Sequence, residues 1–177
     1  KAKINDDIYV SGNLGDSYLG LLVLKNKIKL NHLLSKYFIN QYYMPNIQIK
    51  LIDKIKKFAN TSIDISDGLL ADLDKMINNQ KLSYKLFLKD IPISNNLKKI
   101  LDLKKLSKVK YISNGDDYQV LFTASKNKRR IIRKIATNFK IKLTKIGSTQ
   151  SISKNSSIVD DKNNQISLKN KGYFHKF

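Results

Sequence analysis

The sequence predicts a single α+β domain. Strand-like runs at 61–65, 83–89, 118–123 and 141–146 alternate with amphipathic helical stretches. No internal repeat or interdomain linker interrupts the 177 residues. A hydrophobic fraction of 41%, with seven Phe and nine Tyr, is that of a globular chain and not of a disordered one.

The elements follow in order. Residues 6–10 read as a short strand ending at Val10, after which Ser11-Gly12-Asn13-Leu14-Gly15-Asp16-Ser17 punctuates the chain. Asp16 or Ser17 can cap the next helix, whose apolar side is Leu19, Leu21, Leu22 and Leu24. A second helix spans about residues 30–42, with His32 a packing or surface residue. Met44-Pro45-Asn46 stops it, because proline disfavours helix at the residue before it. Leu51, Ile52, Ile55, Phe58 and Ala59 give a third helix over about 49–59. The β-branched run 61–65 enters Ser66-Asp67-Gly68, and a helix over about 69–78 buries Leu69, Leu70, Leu73, Met76 and Ile77. Strand 83–89 closes at Pro92, and a helix is expected at 97–106. Asn114-Gly115-Asp116-Asp117 leads into strand 118–123, with Tyr118, Val120 and Phe122 inward. Residues 126–139 form a basic amphipathic helix with Ile131, Ile132, Ile135, Ala136 and Phe139 inward. Strand 141–146 ends at Gly147, 148–164 reads as a loop or exposed hairpin, and 166–168 as a short strand.

Composition excludes several classes of chemistry. With no Cys, a disulfide scaffold, a thiolate nucleophile and Cys-built zinc or iron–sulfur sites are out; with two distant His, so is a histidine cluster. No run approaches 18 apolar residues, so no segment is expected to span a membrane. Lys plus Arg is 34 against 14 acids, all of them Asp, for a net charge of +20. Arg occurs only at Arg129, Arg130 and Arg133. Such a chain sticks to polyanions at low salt, which leaves nucleic-acid binding as an alternative function. No aromatic-interleaved basic motif accompanies the charge, so no specific nucleic acid is expected.

Some of these scarce acids concentrate at turns: Gly15-Asp16-Ser17, Asp64-Ile65-Ser66-Asp67-Gly68 and Asn114-Gly115-Asp116-Asp117-Tyr118. In the second, two carboxylates three residues apart stand where a strand turns into a helix, within reach of one cluster of hard metal ions such as Mg²⁺. Ser66 and free N–H groups at the helix start could then hold a phosphate oxygen. The competing reading is plain helix capping by Ser66 or Asp67, with Asp64 exposed. Asp116-Asp117 poses the same choice between a cation site and a solvated turn. No phosphate-cradling glycine loop, nucleophile elbow or histidine zinc motif is present.

These residues carry a family resemblance. Asp6-Asp7-Ile8-Tyr9-Val10-Ser11-Gly12-x-Leu14-Gly15-Asp16-Ser17-x-x-Gly20-Leu21 resembles the opening of the second domain of thiamine-monophosphate kinases. Ser62-Ile63-Asp64-Ile65-Ser66-Asp67-Gly68-Leu69-Leu70-Ala71-Asp72-Leu73 resembles that family's most distinctive segment. The run Asn114-Gly115-Asp116-Asp117-Tyr118-Gln119-Val120-Leu121-Phe122-Thr123 and the closing Gly172-Tyr173-Phe174-His175 are similar to two more, all in family order. The resemblance implies the α+β C-terminal domain of the aminoimidazole ribonucleotide synthetase-like superfamily, which includes selenophosphate synthetase, with a mainly antiparallel sheet and packed helices over residues 1–177. It implies transfer of the γ-phosphoryl group of ATP to thiamine monophosphate, Mg²⁺ as cofactor, and a cytoplasmic protein. Asp64 and Asp67 would bind Mg²⁺, Ser66 would touch the nucleotide, Asp116 would contact thiamine monophosphate, and Tyr173 would pack near its thiazolium.

Complete members of the family carry a preceding N-terminal domain with further Asp ligands and most of a homodimer interface. The expectation is therefore that this chain alone is inactive and that an N-terminal domain or separate polypeptide completes the site. Another ATP-dependent activity of the same superfamily, or a non-catalytic interaction domain, are the alternatives. Three departures stand out: Asn114 replaces a family Gly, Gln119 a Glu, and Tyr43-Met44-Pro45-Asn46-Ile47 lacks both Arg of an Arg-Pro-x-Pro-Arg-like stretch.

Overall fold

A computed structural model describes residues 1–78 and 80–166. Within them the chain runs β1 (Asp7–Ser11), α1 (Asp16–Leu24), α2 (His32–Tyr43), α3 (Ile49–Ile55), β2 (Thr61–Asp64), α4 (Leu69–Asn78) and β3 (Leu82–Phe87). It continues with α5 (Asn95–Lys104), α6 (Lys108–Ile112), β4 (Val120–Ala124), α7 (Arg129–Phe139), β5 (Leu143–Ser151) and β6 (Ser157–Val159). The strands form one sheet in the order β2-β4-β1-β5-β3-β6. Four pairings are antiparallel and the fifth, β3 with β6, is parallel. The α+β expectation holds.

β1 is central, with β4 and β5 on its two sides, and its alternation feeds both faces of the sheet. Ile8 and Val10 join Leu121, Ile146 and the α4 stripe of Leu69, Leu70, Leu73, Met76 and Ile77 on one face. Full burial of Leu69, Leu70 and Leu73 stabilises this packing by roughly 2 kcal/mol apiece. Tyr9 faces the other side, where its ring stacks on Phe122 at 5.2 Å beneath Leu51, Ile55 and Ile132. A third apolar cluster, centred on Leu19, Phe38, Leu97 and Tyr111, packs α1, α2, α5 and α6 together. Among the described residues no helix is long and apolar enough to cross a membrane.

Several local expectations change. The five-residue α6 is too short to show a helical period in sequence. β5 extends to Ser151, and the segment after it returns as β6 on the far side of β3. The expected hairpin is found only at the end of 148–164, where the chain doubles back beyond β6: Val159 bridges Gln165 antiparallel, and Ile166 N–H donates to the Ile158 carbonyl at 2.9 Å. The basic helix divides into a 3-10 turn, Lys126–Lys128, and α7. Ile132 is its fully buried residue, whereas Ile131 is 42% exposed and Phe139 38%. Ile131 precedes Ile132 by one step of about 100° around the helix, which carries it off the buried stripe. Tyr118 is 39% exposed, because β4 starts only at Val120 and Tyr118 adopts a left-handed φ of 48°. Residues 167–168 of the expected last strand, and Gly172-Tyr173-Phe174-His175, lie outside the described residues.

Candidate functional site at three converging turns

The three acidic turns, scattered over a hundred residues, come together, with the third at their centre. Its backbone is tied to the second: Asp116 N–H donates to the Ser66 carbonyl at 3.0 Å, and Tyr118 N–H to the Ile65 carbonyl at 2.9 Å. Two glycines make this approach possible. A Cβ on Gly115 would stand 1.7 Å from the Ser66 carbonyl oxygen. Gly68 has φ +122°, and a Cβ there would stand 2.3 Å from the Ser113 carbonyl oxygen. Each turn therefore presses its glycine onto the other's backbone.

The same turn reaches the first one through Asp117. Its carboxylate accepts from Gly15 N–H at 2.8 Å and also from Ser17 N–H, which caps α1 from a hundred residues away. Asp16 and Ser17 thus do not cap their own helix. The Asp16 carboxylate accepts from Ser94 Oγ at 2.7 Å and Tyr37 Oη at 2.9 Å, while Ser17 Oγ donates to the Gln41 carbonyl. Tertiary donors on α2 and before α5 have captured Asp16, and a better-placed acid has taken the N–H groups. Burial pushes the Asp117 carboxyl well up, with those two N–H donors opposing. Burial also pushes Asp16 up, against its two hydroxyl donors. Tyr37 is pushed up to about 12, first by burial and then by the Asp16 charge.

In the second turn the cap comes from inside the helix. Oδ2 of Asp72, an acid only 1% exposed, accepts from the N–H groups of Ser66 at 2.9 Å, Asp67 at 2.9 Å and Gly68 at 3.1 Å. The N–H groups expected to be free for phosphate are therefore occupied, and neither Ser66 nor Asp67 supplies the cap for them. Lys75 donates to Oδ1 of Asp72 at 3.1 Å and also to Asp67, and these acids hold its ammonium pKa above the usual lysine value. One sequence signal marked Asp72. It lies three residues after Leu69 and four before Met76, an acid on the buried stripe of α4.

The predicted site residues fall as follows. Asp64 is the exposed last residue of β2, opposite Val120. Ser66 and Asp67 are half-buried in the adjoining turn. Asp116 is half-buried with φ +66°, and its carboxyl is pushed up by burial and then by the neighbouring Asp67 charge. Asp67 and Asp116 thus face the same locale electrostatically, while Asp117 turns inward. Tyr173 lies outside the described residues.

Carboxylate oxygens suit a hard divalent cation in kind. In number they fall short: among the described residues no group of three or more His, Cys, Asp or Glu is placed to hold a metal. The fit to Mg²⁺ is that of a partial donor set.

Two departures prove to be neighbours. Gln119 Nε2 donates to the Asn46 carbonyl at 3.0 Å and to the Asp117 carbonyl at 3.3 Å, while its Oε1 accepts from Ser11 Oγ. An ionised Glu could not donate to those carbonyls. Asn114, outside the left-handed region, bonds the Lys110 carbonyl through its side chain, so its backbone does not need glycine. A polar cavity of about 240 Å³ opens here, lined by Asp16, Tyr37, Asn46, Asp117 and Gln119 among others.

No protein-family model matches the chain. It is 34% identical over 176 residues to the thiamine-monophosphate kinase of Buchnera aphidicola subsp. Acyrthosiphon pisum (strain APS), which covers 98% of this chain and 54% of that kinase. The crystal structure of thiamine-monophosphate kinase from Stenotrophomonas maltophilia K279a aligns with a TM-score of 0.75 at 26% identity, covering 91% of this chain and 51% of that one. AaThiL complexed with AMPPCP and TMP aligns with a TM-score of 0.76 at 28% identity, covering 98% of this chain and 52% of that one. The chain spans about half the length of the curated relatives it matches. The shared fold is that of the aminoimidazole ribonucleotide synthetase-like superfamily.

Proposed function

As a homologue of the thiamine-monophosphate kinases along nearly its whole length, this chain, we propose, builds one wall of a site that joins ATP to thiamine monophosphate. The observation that carries this reading is the locking of the second and third acidic turns, which sets Asp67 beside Asp116. In the reaction the bond from the γ-phosphorus to its bridging oxygen breaks and a bond to an oxygen of the acceptor phosphate forms, leaving ADP and thiamine diphosphate. The acceptor is already a nucleophilic phosphate oxygen, so the protein's part is positioning and charge neutralisation.

Asp64 and Asp67 are proposed as two ligands of Mg²⁺, with the remaining acids supplied by the half of the kinase that lies outside the match. When bound, Mg²⁺ would neutralise phosphate charge. With Mg²⁺ on Asp67, Lys75 would keep only Asp72, whose carboxylate holds the turn through its three N–H groups. Ser66 is assigned to the nucleotide, and Asp116 and Tyr173 to the cationic thiamine end. With only this wall present, turnover is expected to be negligible.

The test is an assay for thiamine diphosphate from ATP, Mg²⁺ and thiamine monophosphate. It is run on this chain alone and mixed with a polypeptide supplying the other half of a kinase. The expected result is no product alone and product in the mixture, lowered roughly a hundredfold by Asp67→Asn without loss of folding. Robust turnover by the isolated chain refutes the one-wall reading, and a mixture indifferent to Asp67→Asn refutes the ligand assignment.

A further inference from the structure

We propose that the pocket between α7 and the β1–β5 pair is a phosphate-binding site, separate from the acidic turns. It has a volume of about 280 Å³ and is lined by Tyr9, Arg129, Ile132, Arg133, Ala136, Leu143 and Lys145. That lining contains three cations and no carboxylate. The acid beneath it is Asp7, only 1% exposed, which accepts from Arg129 Nη2 at 2.8 Å and faces Lys145 Nζ at 3.6 Å. One buried negative charge thus fixes two cations in place, and Arg133 adds a third beside them. Arg129, Lys145 and Arg133 against Asp7 leave the pocket with an excess of positive charge that an anion would balance.

The residue types point to phosphate. The chain's basic residues are Lys everywhere except at positions 129, 130 and 133, where all its Arg occur. Arg presents a planar fork that matches phosphate oxygens, which a Lys point charge does not. Helix stability does not explain the cluster. The first turn of α7 has no acid, and cations there oppose the helix dipole. The floor is also rigid, since Tyr9 stacks on Phe122 and its hydroxyl interacts with Asp7 and Arg129. Asp7 opens β1 and Ser11, bonded to Gln119, closes it. The two regions therefore lie about 13 Å apart along the strand.

A phosphate group reaches such a pocket either on a small phosphorylated molecule or on a nucleic-acid backbone. The experiment measures pyrophosphate binding to the full chain by calorimetry in about 0.2 M salt, where non-specific attraction to the basic surface is largely screened. Arg133→Gln with Lys145→Gln is compared with Lys25→Gln and Lys27→Gln, a control of equal charge loss at exposed positions. Arg133→Gln alone, at an exposed residue, serves if the pocket pair does not fold. The expected result is a loss of about tenfold or more at the pocket and less than about twofold in the control. Backbone NMR shifts on adding pyrophosphate should centre on α7 and on Leu143 and Lys145. Displacement of pyrophosphate from these residues by a short single-stranded RNA identifies the backbone as the source, and no displacement identifies a small molecule. Absence of binding at this salt, equal losses in both variants, or shifts spread over the surface overturn the proposal.

Discussion

At the scale of single residues, the chain's acids divide by burial. Asp64 is exposed, while Asp16, Asp72 and Asp117 are buried and spend their oxygens on protein donors. Asp117 has a consequence for pH. Burial raises its pKa in the folded state above the value near 3.8 that it has when exposed. The folded protein then binds a proton that the unfolded chain has released. This group's contribution is therefore most favourable below that value and is lost as pH rises through the raised one. Asp117→Asn keeps an oxygen for Gly15 N–H and removes the titration. Relative to the unsubstituted protein, the variant is expected to gain stability as pH rises above about 4 towards neutrality. Urea midpoints across that range check this, and a constant difference contradicts it.

At the scale of elements, α4 depends on a cap from its own first turn. Asp72→Ala strips the acceptor from three N–H groups at once, and the expected loss is about 2–3 kcal/mol. Asp72→Asn keeps an acceptor but loses the Lys75 ion pair, so a smaller loss of about 1 kcal/mol is expected. Urea denaturation gives the energies. Hydrogen exchange at Ser66, Asp67 and Gly68 identifies the mechanism, because only loss of this cap accelerates those amides selectively. Unchanged exchange there in Asp72→Ala rules out the capping role. The sheet pairs by a similar logic: β6 is three residues long and lies parallel to β3, a pairing that its own sequence does not announce.

For the whole molecule, the dominant electrostatic fact is a net charge of +20. Self-repulsion among so many lysines opposes the compact state. Salt shortens the screening length from about 10 Å at 0.1 M to about 3 Å at 1 M. Adding NaCl from about 0.1 M to about 0.5 M is therefore expected to raise the urea midpoint. The ion pairs of Asp7 and Asp72 oppose this only weakly, because their carboxylates are buried and screened less. A falling midpoint means that specific pairs outweigh the general repulsion.

What was legible in the sequence was local. The stripe Leu69, Leu70, Leu73, Met76 and Ile77 predicts the full extent of α4, because a helix repeats every 3.6 residues whatever it packs against. The β-branched run at 61–65 predicts β2 for the same kind of reason, and the three acidic turns mark themselves by scarce Asp beside Gly in a lysine-rich chain. Partner choice was not legible. Asp117 caps α1 across 102 residues, Arg129 meets Asp7 across 122, and Gln119 bonds Ser11 across 108. Those pairings exist because the sheet places β4 and β5 on either side of β1, and strand order is a property of the folded chain that no local period encodes. The two interlocked glycines show the same division: Gly68 and Gly115 read locally as turn residues, and only their apposition in space explains why neither position has room for a side chain.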